Sequence, residues 1–333
     1  MKILLKECLK EGENITEIGY ALSGEQQPPL NLIKYAKEAE NAGFDFITIS
    51  DHYHPWLESQ GQSPHVWTTI GSIAQVTKKI PIVTAVSCPT FRQHPAIVAQ
   101  AAATVASIIP GRFTLGVGSG ENLNEHIFGD SWPAAPIRIE MLEEAVDIIR
   151  TLWKGGMRDY EGRYYYVENA QIYTLPEKLP PIIMSGFGPI AANTAGRVGD
   201  GFITGGISKN LIDTFKSSGG AGKPCYSGVT VCWDESEEDA IKTAYKHWPL
   251  VAMKGELSWE IKTTTHFEQI AEMITEKDVA KNTLCSPDPE EFIKEIKKGI
   301  DTGFDHVYLQ QIGLKQSEFI EFCEKEILPE FQE

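Results

Sequence analysis

The chain is short of positive charge. Lysine and arginine number 30 against 46 acidic residues, a formal net charge of −16. Such a balance repels nucleic acid and anionic membranes, so neither is an expected partner, and any anionic ligand must be held by local groups. Cysteine is also scarce. Cys8, Cys88, Cys225, Cys232, Cys285 and Cys323 are irregularly spaced and form no CxxC pair. In a chain of 333 residues they read as free thiols in a reducing compartment. No apolar run is long enough to span a bilayer. The start, Met1 to Glu17, is charged and lacks the apolar stretch of a signal peptide, so a cytoplasmic protein is expected. No stretch rich in Pro, Gly or Ser separates domains, and no low-complexity segment suggests disorder.

What is present is a repeating alternation. Apolar strand-like runs at Ile18–Leu22, Phe44–Ser50, Ile80–Val86, Phe113–Val117, Pro181–Met184, Gly201–Thr204, Ser227–Trp233 and Phe304–Gln310 are separated by segments of helical period. The helical segments include Leu30–Ala42, Val66–Thr77, Pro95–Ile108, Ile137–Trp153, Pro189–Val198, a helix from Asn210, Glu235–His247, Pro289–Thr302 and Glu318–Leu328. About eight β-α units predict an α/β protein with a (β/α)₈ barrel in a single domain over 1–333; an open dinucleotide-binding sheet is the alternative. Two stretches break the rhythm. The tyrosine-rich run 159–173 reads as a hairpin insertion, and 249–265 as an irregular excursion near the barrel mouth.

In such folds ligands bind where strands end. The second strand runs into Ser50-Asp51-His52-Tyr53-His54-Pro55-Trp56. His52 is a candidate general base whose charge a nearby carboxylate would set; the bland alternative is a hydrogen-bonded loop histidine beside a capping Asp51. His52 and His54 also form an HxH pair, but the later strand ends supply only Asp234, so no metal is expected. The fourth strand leads to Gly116-Val117-Gly118-Ser119-Gly120-Glu121. Its glycines allow close approach of a ligand, and Glu121 stands where the third glycine of a dinucleotide fingerprint would be. Gly186-Phe187-Gly188-Pro189 lies between a strand and a helix, where backbone N–H groups can hold an anion. Trp56 stands out from the other tryptophans because it lies in a polar loop beyond a strand end.

These segments resemble the luciferase-like superfamily of flavin and deazaflavin barrels. Within it they are similar to the F420-dependent dehydrogenases grouped around the glucose-6-phosphate and secondary-alcohol enzymes. The likeness rests on the run from Ser50 to Trp56, on Cys88-Pro89-Thr90-Phe91-Arg92-Gln93-His94-Pro95-Ala96, and on Pro110-Gly111-Arg112-Phe113 through Glu125. It rests also on Ser185 to Pro189 and on Ala195-Gly196-Arg197-Val198-Gly199-Asp200-Gly201. It covers about 18–328 and leaves 1–16 as an N-terminal extension.

The resemblance implies coenzyme F420, with FMN as the alternative, a small-molecule hydroxyl or carbonyl substrate, and a homodimer. It implies His52 as the base, Trp56 lining the reaction site, and Glu121 and Glu25 as active-site acids. Coenzyme-holding positions fall on Asp51, Ala85, Val86, Cys88, Gly120, Asn124 and the backbone of Gly186, Phe187 and Gly188. A non-prolyl cis peptide would join Ala85 to Val86. The three cations that hold a sugar phosphate in the family fall on Lys209, Gln269 and Asn282, so two are uncharged here and a different substrate is expected. Two alternatives stand beside the F420 oxidoreductase: an FMN-dependent monooxygenase of the same superfamily, and a non-catalytic F420-binding protein. Joint retention of His52, Trp56 and Glu121 argues against the last.

Overall fold

The computed structural model describes residues 16–332. The predicted N-terminal extension therefore lies, apart from Thr16, outside the described residues. Eight parallel strands close into a barrel: β1 (Glu17–Leu22), β2 (Phe46–Ile49), β3 (Ile82–Thr84), β4 (Phe113–Val117), β7 (Ile182–Ser185), β8 (Gly201–Thr204), β9 (Cys225–Cys232) and β11 (His306–Gln311). Neighbouring strands are joined in register, for example Gly19 with Phe46, and Tyr226 with His306; pairing of β8 with β9 completes the ring. A short strand, β10 (Leu284–Cys285), pairs only with β9. Antiparallel β5 (Arg158–Glu161) and β6 (Tyr166–Ala170) form the predicted tyrosine-rich hairpin.

Strand alternation divides the core in two. Ile18, Tyr20, Ile47, Ile49, Leu115 and Ile182 face the surrounding helices. Ala21, Phe46, Val83, Ile183, Ile203, Tyr226 and Tyr308 fill the barrel interior. The interior is packed by matching small residues to large ones: a Cβ on Gly19 would sit 2.4 Å from the Phe46 ring. A larger residue at Gly19 therefore displaces a fully buried aromatic.

The helices stop where local chemistry stops them. Pro29–Ala42, Pro95–Ile108, Pro189–Val198 and Pro289–Thr302 each carry proline in the first turn, where its missing N–H costs nothing. The expected last helix ends as Gln316–Phe322 and relaxes into a π-helical turn, Cys323–Ile327. The excursion after Pro249 is more ordered than its pattern predicts, with helices at Leu257–Glu260, Thr264–Ala271 and Glu276–Asn282. These are short, so periodicity carries little signal for them. No helix of the described residues is long and apolar enough to cross a membrane.

One half-buried carboxylate ties a helix to the entry of β3. Glu40 Oε1 accepts the backbone N–H groups of Lys78, Lys79 and Ile80 at 2.6, 2.6 and 3.1 Å, and Oε2 pairs with Lys37 at 2.7 Å. Burial opposes its charge, but Lys37 and the three amides outweigh burial and hold its carboxyl down at about 2. A depressed carboxylate stabilises the fold above its unfolded value near 4.5 and loses that contribution as pH falls toward 2. Glu40→Gln is expected to cost about 2–3 kcal/mol at pH 7. Urea midpoints at pH 7 and pH 3 check this: the wild-type advantage shrinks at pH 3, and equal midpoints at pH 7 would refute it.

Candidate active site at the barrel mouth

A cavity of about 460 Å³ opens at the C-terminal ends of the strands. The loop after β2 brings Asp51 and His52, that after β3 brings Ala85, Val86 and Cys88, and that after β4 brings Gly118 to Glu121 and Asn124. Gly186, Phe187 and Gly188 close the wall after β7. Every expected coenzyme-holding residue lines this cavity, as do His52 and Glu121. The Ala85–Val86 peptide is cis. Glu25 and Trp56 are not on the cavity wall; both touch His52 instead.

His52 is the hub. Its Nε2 lies 3.2 Å from Glu25 Oε1 and 3.4 Å from Glu121 Oε2. Glu25 is itself fixed by the hydroxyls of Ser23 and Ser50, both donating to Oε2. The Trp56 ring packs against the imidazole at a centroid distance of 5.4 Å, and Trp248 and Phe267 hold Trp56 from further out.

Nδ1 of His52 faces two different partners. The carbonyl of His54 lies at 3.2 Å and the amide nitrogen of Asn124 at 3.1 Å. Asn124 is oriented because its Oδ1 accepts the N–H groups of Tyr53 and His54, which turns Nδ2 toward His52 and Glu121. The ring can thus donate from Nδ1 to a carbonyl or accept there from an amide, and has a partner in either protonation state. Burial pulls the imidazole down, but Glu25 and then Glu121 win and raise it above its ordinary value. Glu121 is pushed up chiefly by burial, against the pull of His52. A base and an acid with shifted affinities in one cleft are characteristic of proton-transfer sites.

Beneath this hub lies an ionic cluster that sequence reasoning missed. Arg92 donates to Asp51 Oδ1 at 2.9 Å and its Nε faces Glu125 Oε1 at 3.6 Å; side-chain exposures are 7% for Arg92 and 1% for each acid. Ser87 and Gln93 both donate to Asp51 Oδ2 at 2.7 Å. Burial pushes Glu125 up to about 7 despite Arg92. Asp51 therefore braces the floor through Arg92, Ser87 and Gln93 as well as bordering the cavity. Arg92, Gln93 and Glu125 stand in segments that look functional, but nothing in a linear pattern tells which distant charge neutralises which.

Arg138 was also missed, although it left a trace. It precedes Met141, Leu142 and Ala145 at helical spacing, a charge on an otherwise buried stripe. It lines the cavity together with Trp259, Glu260 and Tyr308. By contrast, Lys209 is exposed and paired with Asp213, Asn282 is exposed and bonded to its own helix, and neither they nor Gln269 line the cavity. The HxH pair does not converge: His54 bonds through Nδ1 to Leu123 O and stacks on His126. Among the described residues no group of three metal-ligating side chains is found.

Comparison with known proteins agrees with this geometry. The family model for luciferase-like monooxygenases matches residues 15–306. The F420-dependent glucose-6-phosphate dehydrogenase of Microbacterium testaceum is 34% identical over 323 residues, 93% of this chain and 96% of that protein. The enzyme of the same name from Mycobacterium avium is 34% identical over 94% of this chain and 97% of its own length. Among solved structures, an F420-dependent secondary alcohol dehydrogenase in complex with an F420-acetone adduct superposes with a TM-score of 0.88 at 29% identity, covering 96% of this chain and 99% of that one. The chain is thus a (β/α)₈ barrel that belongs to the luciferase-like family, among relatives that are F420-dependent oxidoreductases.

Proposed function

We propose that the protein is an F420-dependent oxidoreductase that moves a hydride between a hydroxyl or carbonyl substrate and the deazaflavin, with His52 as the general base. The observation that carries this reading is the cavity-lining imidazole with Nε2 between Glu25 and Glu121. The residues present fit a flat ring with an anionic chain. A Cβ on Gly118 would lie 2.6 Å from Val86 and 2.8 Å from Ser185 Oγ, so only glycine leaves that wall flat. Gly186 to Gly188 lead into a ten-residue helix whose first N–H groups suit a phosphate. When bound, F420 supplies a two-electron hydride acceptor, and the protein supplies orientation and proton handling.

In the oxidative direction, neutral His52 keeps its Nδ1 proton on the His54 carbonyl and takes the substrate hydroxyl proton at Nε2. The imidazolium formed there faces Glu25 and Glu121, which stabilise its charge. Glu121, on the cavity wall and raised by burial, can hold a proton for the reduced ring. Trp56 packs on His52 and limits the imidazole's movement.

The substrate is a neutral or weakly charged hydroxyl compound. Asp51, Glu121, Glu125, Glu256 and Glu260 border the cavity against Arg138 as its sole Lys or Arg among the described residues. A phosphate dianion among these acids lacks the cations that would offset its repulsion and desolvation. The test is anaerobic incubation with F420 or FMN and a panel of secondary alcohols and sugar phosphates. Bleaching of F420 by an alcohol, with glucose 6-phosphate at least about tenfold poorer in kcat/KM, is the expected outcome. FMN binding with oxygen consumption and no F420 response would establish the monooxygenase instead.

A pH profile tests the base. The neutral imidazole is the active form, so oxidation speeds up as pH rises through the His52 pKa. Because Glu25 and Glu121 raise that value, the acid limb of kcat/KM falls above the ordinary 6.5. Glu25→Gln removes one of the two charges and moves the limb to lower pH. A limb unmoved by this change would mean that another group controls the rate.

A further inference from the structure

The cavity is electrically uneven. The loops at its strand ends carry Asp51, Glu121 and Glu125. Its border also takes in the beginnings of two adjacent helices, Ala135–Leu152 and Pro189–Val198, through Ala135, Arg138, Ile139 and Pro189 to Ala191. Helix beginnings favour anions, and Arg138 adds a full charge there.

Arg138 is only 3% exposed, and its bonding is incomplete. Nη1 donates to Pro133 O at 2.6 Å, and Nη2 to Glu260 Oε1 at 2.9 Å. The guanidinium lies over the Trp132 ring at 4.2 Å. Nε, which shares with Nη2 the edge that grips carboxylates and phosphates two-pronged, has no partner among the described residues. The fork is half filled. Its occupant is a surface group: the Glu260 side chain is 46% exposed and stands at the end of the four-residue helix Leu257–Glu260. Asn122 holds the Glu260 carbonyl at 2.9 Å, and Trp259 lies against Phe187 at a centroid distance of 5.1 Å. A buried guanidinium whose partner is an exposed carboxylate on a short helix is open to exchange. An anion presenting two oxygens would satisfy both Nη2 and Nε.

We propose that Arg138 grips an anionic group on the coenzyme's side chain and that Glu260 is an internal placeholder displaced when the coenzyme binds. This rests on the F420 reading, since that coenzyme carries a phosphodiester and glutamate carboxylates on its chain. The anion is assigned to the coenzyme rather than to the substrate because Glu260, which Arg138 holds, follows Trp259, and Trp259 lies against Phe187 at the Gly186–Gly188 helix start.

The experiment is a Trp-fluorescence titration of wild type, Arg138→Gln, Arg138→Lys, Glu260→Gln and Glu256→Gln. Three probes are used without turnover: F420, the deazaflavin nucleoside lacking the anionic chain, and glucose 6-phosphate. Arg138→Gln is expected to weaken F420 by about tenfold or more and leave the nucleoside unchanged, with Arg138→Lys in between. Glu260→Gln is expected to tighten F420 roughly threefold or more with no effect on the nucleoside. Glu256→Gln, a cavity carboxylate not paired with Arg138, measures general repulsion alone; a tightening of F420 as large as that of Glu260→Gln overturns displacement. Equal F420 affinity in wild type and Glu260→Gln overturns the proposal even if Arg138→Gln does not fold. So does an Arg138-dependent affinity for glucose 6-phosphate with F420 unaffected. Wild type that binds neither deazaflavin instead refutes the coenzyme reading itself.

Discussion

Replacing His52 by alanine is expected to lower kcat by about 10²–10⁴, the usual loss for a general base. F420 affinity should stay within a few-fold of wild type, because the walls built from Ala85 to Cys88, Gly118 to Gly120 and Gly186 to Gly188 do not depend on the imidazole. The size follows from the geometry. Among the described residues His52 is the sole group that links Glu25, Glu121, Asn124 and Trp56, and no other imidazole there approaches both acids. Asn124 and Glu121 remain bonded to each other in the variant, so the site keeps a framework into which free imidazole can diffuse. Partial rescue by imidazole, rising with pH, would show that the lost function is proton acceptance. A variant that keeps near wild-type kcat would make His52 structural and remove the basis of the mechanism.

The second large effect is on stability. Arg92→Met leaves Asp51 and Glu125, each 1% exposed, facing a space without positive charge. Breaking a buried pair by removing one partner costs about 3–5 kcal/mol, because the remaining charge stays desolvated. Asp51 keeps Ser87 and Gln93, so the larger part of the loss belongs to Glu125, whose affinity for a proton is already raised. Two further results follow. The variant should lose less stability on acidification than at neutral pH, as Glu125 takes up a proton. Adding Glu125→Gln should recover part of the loss. Guanidinium denaturation of the single and double variants at pH 6 and pH 8 measures both. A single variant within about 1 kcal/mol of wild type would show that the cluster does not brace the floor.

Much of the architecture is written locally. The alternation of apolar runs with helical periods, proline at helix starts and the tyrosine-rich hairpin are short-range features, and they led to the barrel and to most element bounds within a residue or two. Placement of Asp51, His52 and Glu121 at strand ends is likewise local, because a strand's exit point can be read from where its apolar run stops. The excursion at 249–265 shows the limit: Leu250, Met253 and Ile261 are held by packing with Leu57, Leu123 and Trp56 rather than by a pattern of their own.

The partners of the charges were decided only by the tertiary structure. Arg92 meets Asp51 across 41 positions and Glu125 across 33, while Arg138 meets Glu260 across 122. Barrel closure brings β9 beside both β8 and β11, and so sets Tyr226 against His306 and Tyr308 under the site. The physical reason is that apolar burial is non-directional and leaves a periodic trace in the chain, whereas neutralising a buried charge is a contact between two particular atoms. Composition and period therefore determined the barrel and its mouth. Closure of the ring alone determined that His52 lies between two acids, that Asp51 is braced by Arg92, and that Arg138 reaches the cavity with half of its fork unmet.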